Sequence, residues 1–304
     1  MSGSQAQGPA LAGIALTLGA VALFASLDTA TKLVLTTVPM MMALWFRYFV
    51  QAVATAAIML PRRGWRSWHT QRPGLHLLRG LLLVSSSLAA FSALQHIQVA
   101  EFTAIVALSP LIVTALAALL FGERVSPARW LLVLGGLGGA LIIIRPGAES
   151  FSAAMLLPLL VLAANSSFQL LTSRMVRSED PMTMHLYTGC IGALIASLAL
   201  PWVWRELSWL EWGRMMVMGL SAAIGHFLLI LAYSRTPVAV LSPYLYAQIA
   251  FAVIGGWLVF SHTPDGWALL GMCVIAACGA TGAWLILRQS RSERQPETVP
   301  AARP

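Results

Sequence analysis

Ala93-Leu94-Gln95-His96-Ile97-Gln98-Val99-Ala100 and, 139 residues further on, Ala232-Tyr233-Ser234-Arg235-Thr236-Pro237-Val238-Ala239 read as two copies of one element. Each leads into an apolar stretch, the first ending at Phe121 before a charged turn and the second at Phe260 before a polar one. Pro39-Met40 and Pro181-Met182 repeat at a nearby offset of 142, in the same order along the chain. The chain therefore reads as two related halves.

Outward from these elements the sequence is built for lipid. It is 58% hydrophobic and only 10% charged, with a mean hydropathy of +0.78, whereas soluble domains carry about a quarter charged residues. At roughly 20 apolar residues per helical span, the 304 residues divide into about ten spans and leave no room for a soluble domain. Apolar windows between turn and charge signals place the spans near 10–35, 40–60, 75–95, 99–121, 128–144, 152–173, 182–203, 214–234, 238–260 and 265–287. The first half covers 1–147 and the second 148–288, and the charged, Pro-containing tail 289–304 is expected to be disordered. No basic residue precedes Lys32, so the first apolar stretch is read as a retained helix and not as a cleaved signal.

Five spans per half is an odd number, so the second copy enters the membrane inverted relative to the first. The expected fold is an all-α membrane protein of ten transmembrane helices in two inverted five-helix repeats, the construction of many secondary transporters. Arg62, Arg63, Arg66, Arg72, Arg124, Arg129, Arg174, Arg177, Arg235, Arg288, Arg291, Arg294 and Arg303 fall on one side and Arg145, Arg205 and Arg214 on the other. By the excess of basic residues in cytoplasmic loops, both termini of this multi-pass inner-membrane protein are expected in the cytoplasm.

Several classes of function are disfavoured. The net charge of +8 and pI near 10.3 come from short basic runs between apolar segments, so nucleic-acid binding is not expected. Cys190, Cys273 and Cys278 lie in apolar stretches without metal-ligand spacing, and no cofactor is expected. The only lysine, Lys32, sits inside helix 1, so no phosphate-binding loop can drive the protein with nucleotide. Neither H-E-x-x-H nor G-x-S-x-G occurs, which makes an intramembrane enzyme the weaker reading. A channel, sensor or scaffold is the other alternative, and neither a repeated pore ring nor an output domain supports it.

Charges inside a bilayer cost at least about 2.5–3.5 kcal/mol and normally face a cavity or a partner. Asp28 and Lys32 are four apart on helix 1 and share a face, so they either neutralise one another or serve a solute. Arg47, roughly 10 Å into helix 2, is at a depth comparable with Asp28; it either completes a carboxylate- or phosphate-binding cluster or snorkels outward. Asn165 and Gln169 on helix 6, with Tyr244 and Gln248 on one face of helix 9, either bond neighbouring helices or line a polar cavity. His226 in helix 8 either couples transport to protons or is a hydrogen-bonded structural residue. Ser85-Ser86-Ser87 and the Gly135, Gly136, Gly138, Gly139 cluster read as close-packing surfaces.

The stretch Ala104 to Pro110, followed by Leu119-Leu120-Phe121-Gly122-Glu123-Arg124-Val125 and the glycine-rich helix, resembles the EamA-type members of the drug/metabolite transporter superfamily. Phe46-Arg47-Tyr48 belongs to the same resemblance. Ser261-His262-Thr263 departs from it, standing where the second copy of the turn usually carries Gly and Glu. The resemblance implies a central cavity between inverted repeats and a small-molecule substrate. Amino acids and related amines, S-adenosylmethionine, riboflavin and nucleotide sugars all occur as substrates among such relatives. The expectation is a secondary transporter by alternating access, its cavity lined from helices 1, 2, 6, 8 and 9 by Asp28, Lys32, Arg47, Asn165, Gln169, His226, Tyr244 and Gln248. Direction of flux and oligomeric state are left open.

Overall fold

Prolines open many of the spans, where a missing N–H costs a helix nothing. A computed structural model of the chain describes residues 7–64, 68–121, 126–145 and 152–292, and its helices follow the proline and charge punctuation closely. They are α1 (Gln7–Val34), α2 (Met40–Arg63), α3 (Pro73–Leu94), α4 (Val99–Val106), α5 (Ser109–Phe121) and α6 (Pro127–Ile144), then α7 (Leu157–Met175), α8 (Pro181–Ser197), α9 (Leu200–Val203), α10 (Trp209–Arg235), α11 (Val238–Leu245), α12 (Ala247–Phe260) and α13 (Gly266–Ser292). Pro73, Pro127, Pro158 and Pro181 sit in first turns. Asp180 Oδ1 caps α8 by accepting from the Met182 and Thr183 amides, and Ser208 with Glu211 closes a capping box at α10. The Gly122-Glu123-Arg124 turn and the tail beyond Ser292 lie outside the described residues.

The fourth and ninth spans are each broken in two, which the apolar windows did not reveal. The breaks obey the repeat: α4 and α11 begin at Val99 and Val238 and end at Val106 and Leu245, while α5 and α12 end at Phe121 and Phe260, always 139 apart. In the first copy Pro110 cannot donate to the Val106 carbonyl four residues earlier, and the Ser109 hydroxyl donates to that oxygen instead, at 2.7 Å. In the second copy Ile249 holds the position equivalent to Pro110, yet the helix still parts at Tyr246. There the Tyr246 ring occupies the space above Gly279, where a Cβ would come within 1.9 Å of Cζ.

The helix contacts display the inverted two-fold arrangement. α1 packs along α10 as α7 packs along α3, and α1 meets α12 as α7 meets α5. On the symmetry axis α2 meets α8 and α6 meets α13, each pair being its own mate. Both axial contacts depend on glycine: a Cβ on Gly189 would lie 2.8 Å from the Ala52 nitrogen, and one on Gly271 would lie 2.6 Å from the Gly139 oxygen. The protein is thus an all-α membrane fold of ten transmembrane spans in two inverted repeats.

Ser261 ends α12 with φ 53°, in the left-handed region that costs a residue with a Cβ about 1–2 kcal/mol. It occupies the position 139 residues after Gly122 in the sequence repeat. Its side chain is exposed, so Ser261→Gly should stabilise the protein by about 1 kcal/mol. A thermal-unfolding midpoint raised by about 2–4 °C in detergent would register it; an unchanged or lower midpoint would refute the assignment.

Candidate functional site

A cavity of about 110 Å³ lies between the repeats, bordered by the breaks in both discontinuous spans through Ala107, Ser109, Leu245 and Gln248. α1, α2, α7, α10 and α12 line it as expected, and α3, α4 and α5 also contribute. Of the eight residues singled out from sequence, Asp28, Arg47, Asn165, Gln169, His226 and Gln248 are on its wall. Tyr244 is half-buried on α11 and is not among the lining residues. Lys32 is not among them either.

Asp28 and Lys32 do not close an ion pair, although the spacing on α1 allows one. Lys32 Nζ donates to the Leu94 and Ile97 carbonyls at 3.1 and 2.6 Å, the orphan acceptors at the end of α3, where a helix favours a cation. Asp28 turns to the cavity, and its Oδ2 accepts from Thr103 Oγ1 and Gln248 Nε2, both at 3.3 Å. One carboxylate thereby joins α1 to α4 and α12 across the repeat boundary.

Arg47 does not snorkel. It is only 4% exposed, its Nη1 donates to Ser87 Oγ, and its guanidinium lies 5.1 Å from the Tyr48 ring centroid. Ser87 Oγ is also 2.8 Å from the Tyr48 hydroxyl and donates to the Leu83 carbonyl at 2.7 Å. Arg47 Nε is buried without a hydrogen-bond partner, and Arg47 closes no ion pair with Asp28 although both line the same cavity. Ser86 and Ser87, read from sequence as packing, both face this space.

The remaining wall is amide and aromatic. Asn165 Nδ2 reaches Ser109 Oγ at 3.5 Å, and Gln169 Oε1 accepts from the Tyr233 hydroxyl at 3.2 Å. His226 Nδ1 lies 3.0 Å from the Ala222 carbonyl, an oxygen that can only accept, so Nδ1 carries a proton and donates it there. The imidazole meets Phe24 edge-on at 4.8 Å, and the Phe168 ring lies 6.1 Å away.

Arg79 escaped the sequence reading. It is 1% exposed at the N-terminal side of α3 and joins three helices: Nε donates to Thr172 Oγ1 at 2.8 Å, and Nη1 to the Met184 carbonyl at 2.7 Å and to Thr188 Oγ1. Its guanidinium stacks 4.5 Å from Phe168, whose ring lines the cavity. Below it Gln51 Nε2 donates to the His185 carbonyl at 3.1 Å, and His76 Nε2 lies 3.4 Å from Glu179 Oε2. The available signal was a charge six residues inside a span, the same signal that pointed to Arg47. At the opposite ends of the helices Glu101 faces His262 at 4.0 Å and Arg145 pairs with Asp265 at 2.7 Å. The Ala268 amide, and then Arg145, hold the Asp265 carboxyl below its ordinary range.

Broken helices from two inverted repeats around a polar cavity define a membrane carrier fold. The EamA-like transporter family model matches residues 11–145 and again 152–287, and the chain belongs to that family, within the drug/metabolite transporter superfamily. A riboflavin transporter of Brucella anthropi is 29% identical over 238 residues, covering 76% of this chain and 83% of the relative. An S-adenosylmethionine uptake transporter of Rickettsia bellii is 26% identical over 231 residues, covering 76% of this chain and 79% of the relative. A crystal structure 20% identical in sequence superimposes with a TM-score of 0.65 over 91% of this chain and 98% of its own, a likeness of fold.

Proposed function

We propose that the protein is a secondary transporter that carries a small zwitterionic or anionic organic solute across the bacterial inner membrane by alternating access, with both termini in the cytoplasm. The observation that carries this reading is the pair Asp28 and Arg47, opposite charges on one cavity wall that close no ion pair with each other. An anionic group of the solute would bind Arg47, whose buried Nε lacks a partner, as charge-assisted hydrogen bonds favour. A donor group would meet Asp28, and Asn165, Gln169 and Gln248 would orient the polar edge. Phe24, Phe91, Phe102 and Phe168 on the same wall suit a ring, in keeping with the flavin and the adenosyl compound in the relatives' names. Lys32 and Tyr244 act outside first contact in this arrangement, Lys32 by holding the end of α3.

The test is a thermal-shift screen of purified protein against amino acids, S-adenosylmethionine, flavins, nucleotides and sugar phosphates. A ligand present at 100 times its Kd should stabilise the folded state by about 2.7 kcal/mol. The expected hit disappears in Arg47→Ala. A hit that survives this substitution would move the site elsewhere.

A further inference from the structure

We propose that Asp28 is the proton-binding site of the transport cycle, and that its proton travels in the same direction as the anionic solute held at Arg47. The inference rests on the carrier reading above and adds its coupling ion.

The geometry leaves Asp28 as a carboxylate facing a cavity with only neutral donors at hand. Both of its hydrogen bonds are long and fall on one oxygen, Oδ2, from Thr103 and Gln248. The other charged and titratable groups around it are committed elsewhere. On its own helix, Lys32 serves the α3 carbonyls. On α4, Glu101 faces His262 toward the opposite end of α12. On α10, His226 spends its Nδ1 proton on Ala222 and Tyr233 bonds to Gln169. Between α11 and α12, Tyr246 is buried against α13 at Gly279, its hydroxyl without a hydrogen-bond partner. From α3 the wall presents Ser86 and Ser87, and from α7 Asn165 and Gln169. Among the described residues, Arg47 on α2 is the one cation that shares the cavity wall with it.

His226 is less suited to the role, because protonating it would place a second cation in the cavity with Arg47. Charge balance decides the coupling. With the cavity empty, Arg47 positive and Asp28 negative sum to zero. With the anion on Arg47 and a proton on Asp28 the sum is again zero. The anion alone leaves one net negative charge and the proton alone one net positive charge, and a net charge in the membrane interior is costly. Only the empty and the doubly loaded forms therefore reorient cheaply. The anion at Arg47 also screens that cation from Asp28, so proton and solute each strengthen the other's binding, a reciprocity that linkage requires.

The protonation of Asp28 can be read without a known solute. Reconstituted protein is scanned by infrared difference spectroscopy from about pH 5 to about pH 9, following the carboxylic C=O stretch. The expected result is a titrating band in the native protein that is absent in Asp28→Asn and retained in Glu101→Gln. Its midpoint should rise by about one pH unit in Arg47→Gln, where the cation has been removed. A spectrum in which no titrating band is lost in Asp28→Asn would overturn the proton site, and an unchanged midpoint in Arg47→Gln would overturn the coupling to Arg47. Should Asp28→Asn not elute as a monodisperse folded species, Asp28→Glu serves instead and must shift the band frequency. A titrating Asp28 in a protein that stabilises on no solute would count against the carrier reading alone; a solute hit with no titrating Asp28 would count against the proton site alone.

Discussion

Replacing Arg47 by alanine should abolish solute uptake by reconstituted protein while leaving the protein folded in the membrane. Truncating one partner of a buried, hydrogen-bonded charge pair costs about 2–5 kcal/mol, which predicts a loss of roughly 30-fold to several thousand-fold in apparent affinity. The fold should tolerate the change for a specific reason. Arg47 closes no ion pair among the described residues, Asp28 keeps Thr103 and Gln248 as its donors, and Ser87 keeps its donation to the Leu83 carbonyl and its contact with the Tyr48 hydroxyl. Arg47→Lys keeps the charge but loses the planar fork, and should fall between the two. Flux into proteoliposomes, measured beside a gel-filtration profile, checks the prediction. Native flux from a monodisperse Arg47→Ala protein would remove Arg47 from the site.

The largest expected effect on the fold itself comes from Gly271→Leu. A Cβ at Gly271 would lie 2.6 Å from the Gly139 oxygen, which is backbone and cannot swing aside, and 2.6 Å from Ile143 Cγ1. α6 and α13 would have to separate, opening the core built from Ala140, Ile143, Ile144, Ala268, Met272 and Ile275. Overpacking of well-packed cores costs about 1–3 kcal/mol when side chains can adjust. Here they cannot, and the loss should exceed about 3 kcal/mol. Gly138→Leu is the matched control, because a Cβ there meets nothing within 4 Å. The expected outcome is folded, monodisperse Gly138→Leu protein and little or none from Gly271→Leu. Equal yields and equal melting of the two would show that the axial contact is looser than described.

Much of the architecture was legible because lipid allows few solutions. A backbone that must satisfy its own hydrogen bonds in hydrocarbon becomes helix, so apolar length, proline and charge delimit the spans. The 139-residue repeat carried to the ends of the broken helices, and the odd count of five made the second copy inverted. The high cost of intramembrane charge also brought Asp28 and Arg47 forward as candidates before any fold was known.

Spacing along one helix decides which side chains share a face, and nothing more. Asp28 and Lys32 share theirs, yet only the packing of α3 beside α1 presents the free carbonyls of Leu94 and Ile97, which take the ammonium and leave the carboxylate to the cavity. Arg79 was as visible in sequence as Arg47, but its burial comes from Thr172, Met184 and Thr188, more than 90 residues away on α7 and α8. The break at Tyr246 has no proline equivalent to Pro110 to announce it and is held by a ring against Gly279. The sequence by itself determined the spans, the repeat and the inversion, because each follows from the solvent and from the chain's own periodicity. Which polar groups meet, and which stay free for a solute, was decided only by the tertiary structure, since it depends on which helix faces come together across the two-fold axis.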